Sequence, residues 1–138
     1  MRIPALAAIA ALGLSGCALP PPEPIGPVAM TPVIWKQNTP AQVRATDRQQ
    51  CELAAIGASP FSSAEEIQAR AAQVSPTQRK AFVDRCMSNK GYTVTQGRVC
   101  SSNDLRAGQF VRGATVDSLP PLNRVRCFDP AAGGFVVI

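Results

Sequence analysis

The sequence predicts an α+β domain in which two to three short helices precede a small antiparallel β-hairpin or sheet, stapled by two disulfides. Three observations carry this. Between residues 41 and 90, helix start and stop signals agree with an apolar periodicity near 3.6 residues. From Tyr92 onward the chain turns to Thr, Val, Phe and frequent Gly, with stretches that alternate at period two. Cys51, Cys86, Cys100 and Cys127 form an even set within the same span.

Thr39-Pro40 suits a helix start, with Thr as N-cap and Pro at the first helical position. The first helix then runs from Ala41 to about Ile56. Val43, Asp47, Cys51 and Ala54/Ala55 fall at i, i+4 spacing, which places Cys51 within one stripe, while Arg48 and Glu52 pair along another. Gly57 and Pro60 end it. Ser63-Ala64-Glu65-Glu66 reads as a capping box opening a second helix, with Ile67, Ala71 and Val74 inward and Glu66 paired to Arg70 outward. Glu65 and Glu66 are explained by this first turn, where the helix dipole favours negative charge. Ser75-Pro76-Thr77-Gln78 repeats the device. The third helix carries Phe82, Val83, Cys86 and Met87 on an apolar face and Lys80 and Asp84 toward solvent, and Gly91 stands at the left-handed C-terminal position.

Tyr92-Thr93-Val94-Thr95 alternates as a strand. So does Arg124-Val125-Arg126-Cys127-Phe128, which puts Val125 and Cys127 on one face and Arg124 and Arg126 on the other. The turn-like Asp129 to Gly134 and the apolar Phe135-Val136-Val137-Ile138 complete a hairpin. Between these strands, Ser101 to Asn123 offers at most one short strand, near Gln109 to Arg112. No internal repeat is visible.

The N-terminal region has a different character. Arg2 and the apolar run Ile3 to Leu14 fit a secretory leader, too short to span a bilayer, which takes about 20 apolar residues. Leu14-Ser15-Gly16-Cys17 closes that leader and resembles the lipobox of bacterial lipoprotein precursors. The resemblance implies a signal peptide at 1–16, cleavage before Cys17, and acylation of its amine and thiol by chains such as palmitate. One such chain binds membranes only marginally, at about 10⁴ M⁻¹, whereas three anchor effectively for good. Ala18, rather than Asp, after the cysteine implies passage to the outer membrane, with the domain facing the periplasm. An ordinary signal peptidase cutting after Ala18 would discard Cys17, but Pro20 lies badly for that enzyme.

Seven prolines between Ala18 and Pro40 exclude a helix or sheet interior and read as a tether. The expected organisation is therefore leader 1–16, acylated Pro-rich tether 17–40 and domain 41–138, helical over 41–90 and β-rich over 91–138. Val33-Ile34-Trp35 breaks the tether's character, and it is expected to dock onto the domain and close its core with the only Trp.

With Cys17 claimed by lipid, four cysteines remain in an oxidising compartment, and two disulfides in any of three connectivities are expected. A zinc site is disfavoured, since the chain has no Cys-x-x-Cys pair and no histidine. Cys51, then Cys86-Met87-Ser88-Asn89-Lys90-Gly91-Tyr92, then Cys100 resembles an arrangement in small uncharacterised lipoproteins of the Gram-negative envelope, over about half the mature chain. That resemblance implies a Cys51–Cys86 staple between helices, leaving Cys100 to bridge Cys127 within the β part. It brings no catalytic residue and no cofactor.

The remaining signals narrow the function classes. The formal net charge is +5, reduced by one when Arg2 leaves with the leader, and only 5% of residues are aromatic. That is no basic stripe with stacking platforms, so nucleic acid is set aside. Without histidine, Ser-His and Cys-His nucleophile pairs are impossible, and no phosphate loop or nucleophile elbow occurs. The expectation is a non-enzymatic envelope lipoprotein that touches a partner protein or peptidoglycan. Its alternatives are a cell-wall hydrolase using carboxylates gathered by the fold, such as Asp104 with Asp117 or Asp129, and an inhibitor or immunity-type lipoprotein. Arg98, Arg106, Arg112, Arg124 and Arg126 are the candidate binding residues, for anionic headgroups or peptidoglycan carboxylates. A solvated sheet face is the plainer account of them, as pairing with the Val125–Phe128 strand is for Phe135 to Ile138.

Overall fold

Val33-Ile34-Trp35 does dock on the domain, and it does so as a strand. The computed structural model describes residues 26–138, so the leader, Cys17 and the first part of the tether lie outside the described residues. Strand β1 (Met30–Trp35) pairs antiparallel with β2 (Thr93–Arg98), Trp35 opposite Thr93 and Met30 opposite Arg98. The folded unit thus includes Met30–Trp35, ahead of the expected boundary at 41, and the C-terminal part of the 17–40 tether belongs to the domain. Pro32 is compatible with this because of the ladder's phase. The Val99 amide donates to the Ala29 carbonyl at 2.8 Å, so Ala29, Thr31, Val33 and Trp35 turn their backbone groups toward β2. Pro32 faces the other way, where its missing N–H costs no ladder bond.

Three helices follow: α1 (Ala41–Ala55), α2 (Ala64–Ala72) and α3 (Pro76–Asn89). The residue before α1 is Pro40 rather than Thr39, whose buried hydroxyl donates to the Gln37 carbonyl at 3.3 Å instead of capping. Ser63 accepts from the Glu66 amide at 3.2 Å, but the Glu66 carboxylate turns to Arg70 at 2.8 Å, so only half of that capping box forms. The Ser75–Gln78 box is complete. Gly91 ends the third helix with φ of +82°, a conformation that costs other residues free energy. Val43 and Phe82, both expected on apolar faces, are 45% and 38% exposed, because α1 and α3 meet along a narrower seam centred on Cys51, Val83 and Met87. Helix α2 has no fully buried residue.

The second half holds two elements beyond those expected, a short helix and a 3₁₀ turn. Helix α4 (Ser102–Ala107) precedes β3 (Gln109–Arg112), a 3₁₀ turn (Leu122–Arg124), β4 (Val125–Asp129) and β5 (Gly134–Val137). The β4–β5 hairpin is present, and β5 is the middle strand of an antiparallel sheet in the order β3-β5-β4. A bulge at Val125–Cys127 overturns the expected facing of that strand. Val125 pairs with Val137 and Cys127 with Val136, consecutive residues of β5 that point to opposite faces.

Two disulfides cross-link the domain, Cys51–Cys86 joining α1 to α3 and Cys100–Cys127 joining the approach to α4 with β4. Their Cα separations are 5.7 and 4.9 Å, within the ordinary range. The fold is α+β, as expected. Strand β1 is the wall between its two cores: Val33 and Trp35 pack with Leu119 and Phe135, while Ile34 packs with Val94 against the buried Cys51, Val83, Met87 and Tyr92. Alternate residues of one strand therefore serve the β lobe and the helical lobe.

Candidate functional site

The densest cluster of titratable groups sits where α1, the end of α3 and the start of β2 converge. Lys90 Nζ donates to Asp47 Oδ1 and Gln50 Oε1, both at 2.9 Å, and the Tyr92 hydroxyl donates to Asp47 Oδ2 at 2.8 Å. Lys36 Nζ donates to the Lys90 carbonyl at 2.7 Å and lies 5.1 Å from the Tyr92 ring centroid, over its face. The Lys90 ammonium and then the Tyr92 hydroxyl hold the Asp47 carboxyl below its ordinary value. Burial, reinforced by Asp47, pushes the Tyr92 phenol up to about 12. Both shifts favour the ground-state protonation already present at neutral pH. A phenol locked as a donor and a carboxylate locked as an acceptor make a tie between elements, not an acid–base pair poised near neutrality.

A second tie is built on Arg44. Its guanidinium donates to the carbonyls of Thr39, of Gly113 at 2.6 Å and of Val116 at 2.7 Å, so α1 holds the loop after β3. Among the described residues, no buried side-chain nitrogen or oxygen lacks a hydrogen-bond partner, and no three potential ligands lie close enough to hold a metal ion.

The five candidate arginines are not drawn into one patch. Arg98 forms a bidentate pair with Asp104 at 2.9 and 3.0 Å, and Arg106 donates to Asn103 Oδ1 on its own helix. Arg112 stands opposite Gly134, at the turn end of the sheet. Arg124 and Arg126 flank Val125, which pairs with Val137 at the other end and on the opposite edge strand. Register alone keeps Arg112 a sheet's diagonal away from them. Of the candidate carboxylates, Asp104 also accepts from Ser101, and Asp129 accepts from the Ala131 and Ala132 amides in the hairpin turn. Arg98 and then Ser101 hold Asp104 well below the usual carboxylate range. The capping signal Ser101-x-x-Asp104 was open to sequence reading and would have revealed both α4 and the reason Arg98 is engaged.

What sequence reasoning missed is concave surface along β1. A groove of about 720 Å³ runs between α1, α2, α3 and β1, with an apolar floor that includes Ile34, Leu53, Ile56, Ile67 and Val83. Arg48, Glu52, Arg79, Lys80 and Asp84 line it too, and Arg48–Glu52 and Lys80–Asp84 are ion pairs. A second cleft of about 490 Å³ lies between α1, β1 and the β lobe, and the two share Pro32, Ile34 and Arg48. The open space therefore follows β1 on its α1 side. No helix among the described residues is long and apolar enough to cross a membrane. Compared with known proteins, the chain matches no family model, no curated protein and no solved structure.

Proposed function

We propose that this is a lipid-anchored protein of the bacterial outer membrane that works by contact with an envelope partner, protein or peptidoglycan, and catalyses no reaction. The observation that carries the reading is Leu14-Ser15-Gly16-Cys17 at the end of a short apolar leader. The pairing of the other four cysteines supports it, since two structural disulfides suit a chain folded in an oxidising compartment. About a dozen residues separate Cys17 from β1, and five of them are prolines. A polyproline-like chain rises about 3.1 Å per residue, so this tether reaches about 40 Å from the acyl anchor. The small domain then works close to the bilayer, within range of proteins and wall polymer near the membrane.

The test is replacement of the acylated residue. Cys17→Ser should move the protein from the membrane fraction to the soluble periplasmic fraction, and mass spectrometry of wild type should find acyl chains on Cys17. Wild-type protein with an unmodified N-terminus, or a Cys17→Ser variant still retained after carbonate washing, would overturn the anchor.

A further inference from the structure

Among the described residues, strand β1 has one partner and therefore one open edge. Its phase, set by the Val99–Ala29 bond, turns the backbone groups of Met30, Pro32 and Ile34 away from β2. Among the described residues nothing bonds to the Met30 or Ile34 amides, or to the carbonyls of Met30, Pro32 and Ile34. Such a row is a template for another strand, and Pro32 in its middle removes one donor while leaving two amides and three carbonyls to pair. Here it opens beside the cleft and the apolar groove that share Pro32 and Ile34.

We propose that this edge takes up an extended peptide segment of a partner protein, added as a third strand beside β1, with apolar side chains in the groove and a carboxylate on Arg79. Backbone bonding selects an extended chain over a helix or a glycan, and the groove floor selects apolar side chains at alternate positions. The charge follows from the ion pairs already made. Glu52 and Asp84 hold Arg48 and Lys80, and Arg79 is the groove's one cation in no ion pair among the described residues. A second copy of this chain is a poorer occupant. Edge-to-edge pairing of two β1 strands would bring two Pro32 residues, each without a donor, into one short ladder.

The inference rests on the contact role proposed above but not on its lipid anchor. Failure of the Cys17→Ser test would leave it standing, and its own failure would leave the anchor untouched. The probe is the peptide acetyl-Glu-Thr-Val-Thr-Val-Thr-amide, whose Glu and Val side chains share one face, titrated into the full chain in mild detergent and followed by amide hydrogen exchange. Saturable binding should slow exchange of the Met30 and Ile34 amides by about tenfold or more, equivalent to roughly 1.4 kcal/mol of protection. N-methylation of alternate peptide amides along the bonding edge should abolish that protection, and Met30→Pro should weaken binding without loss of fold. Replacing the peptide Glu by Gln, or Arg79→Ala in the protein, should each weaken binding severalfold, and the two together no further. Four results would overturn the proposal: no saturable binding at millimolar peptide, binding that survives N-methylation in both registers, protection confined to sites away from β1, or protection that arises without peptide as the chain dimerises.

Discussion

In the helical lobe the buried cluster is Cys51, Val83, Met87 and Tyr92, and one of the four is half of a disulfide. In the β lobe it is Val33, Trp35, Leu119 and Phe135, with Val111, Val116, Leu122, Val125, Phe128 and Val137 around them. The Trp35 ring meets Phe135 and Phe128 edge-on, with centroids 5.0 and 5.7 Å away, and its Nε1 donates to the Pro120 carbonyl at 2.8 Å. One lobe is held by a cross-link inside a thin core plus the Asp47–Lys90–Tyr92 tie; the other is held by aromatic packing, with its disulfide outside the Trp35 cluster. A domain this small buries little apolar surface, and the comparison shows two remedies set side by side across a shared strand.

The largest expected effect tests the shared wall. Trp35→Ala removes the centre of the β-lobe cluster and should cost about 3–5 kcal/mol. Because Ile34 of the same strand packs in the helical core, the helical far-ultraviolet signal and the Trp35 near-ultraviolet signal of the wild type should melt together, and the variant should lower the helical melt as well. Two separated transitions would break the picture of one wall serving both lobes. Next, Cys51→Ala with Cys86→Ala opens a loop spanning 35 residues, worth about 4 kcal/mol in the chain-entropy treatment. The corresponding removal of Cys100–Cys127, across 27 residues, should cost less, about 3.5 kcal/mol. Cys51 and Cys127 are both fully buried, so truncation adds a similar cavity cost at each site and loop length sets the gap. A larger loss from removing Cys100–Cys127 would break that order.

A smaller effect sits at the seam of the two sheets. A Cβ added to Gly97 would lie 2.3 Å from the Phe128 ring and 2.9 Å from Val33, so β2 admits the aromatic side chain only because this residue has none of its own. Gly97→Ala should cost about 1–3 kcal/mol as overpacking, read as a lower midpoint in urea, and a paired Phe128→Leu should recover part of it.

The smallest effect is acid sensitivity. Asp47 in the helical lobe and Asp104 beside the β lobe both have depressed folded-state values, so each contributes stability above the ordinary carboxylate value of about 4 that is lost as pH falls through the folded value. Asp104, held lower by Arg98, should contribute the larger share. Asp104→Asn should flatten the fall in melting temperature below pH 4 more than Asp47→Asn does. The reverse order would place the stronger polar tie in the helical lobe.

Local chemistry was the legible part of this sequence. The i, i+4 pairs Arg48–Glu52, Glu66–Arg70 and Lys80–Asp84 all form, as do the Ser75 capping box, the left-handed Gly91 and the β4–β5 hairpin. Each is written within a few residues. The disulfide pairing implied by the resemblance to envelope lipoproteins is the pairing found. The β1–β2 ladder was not legible as such, because a proline-dense stretch reads as linker until one knows which way Pro32 faces, and that is set by Val99, far along the chain. The bulge at Arg126 escaped for a related reason: alternation assumes an unbroken ladder. The concave surface beside β1 belongs to no local pattern at all, since Pro32, Leu53, Ile67 and Val83 become neighbours only through the fold.

The position of β5 has a bearing on how such a chain is made. A ribosome produces β3 and β4 before the strand that belongs between them. Neither can join its neighbour until Gly134–Val137 arrives. Until then the polypeptide lacks the keystone of its three-stranded sheet, so the β lobe closes only once all three strands exist.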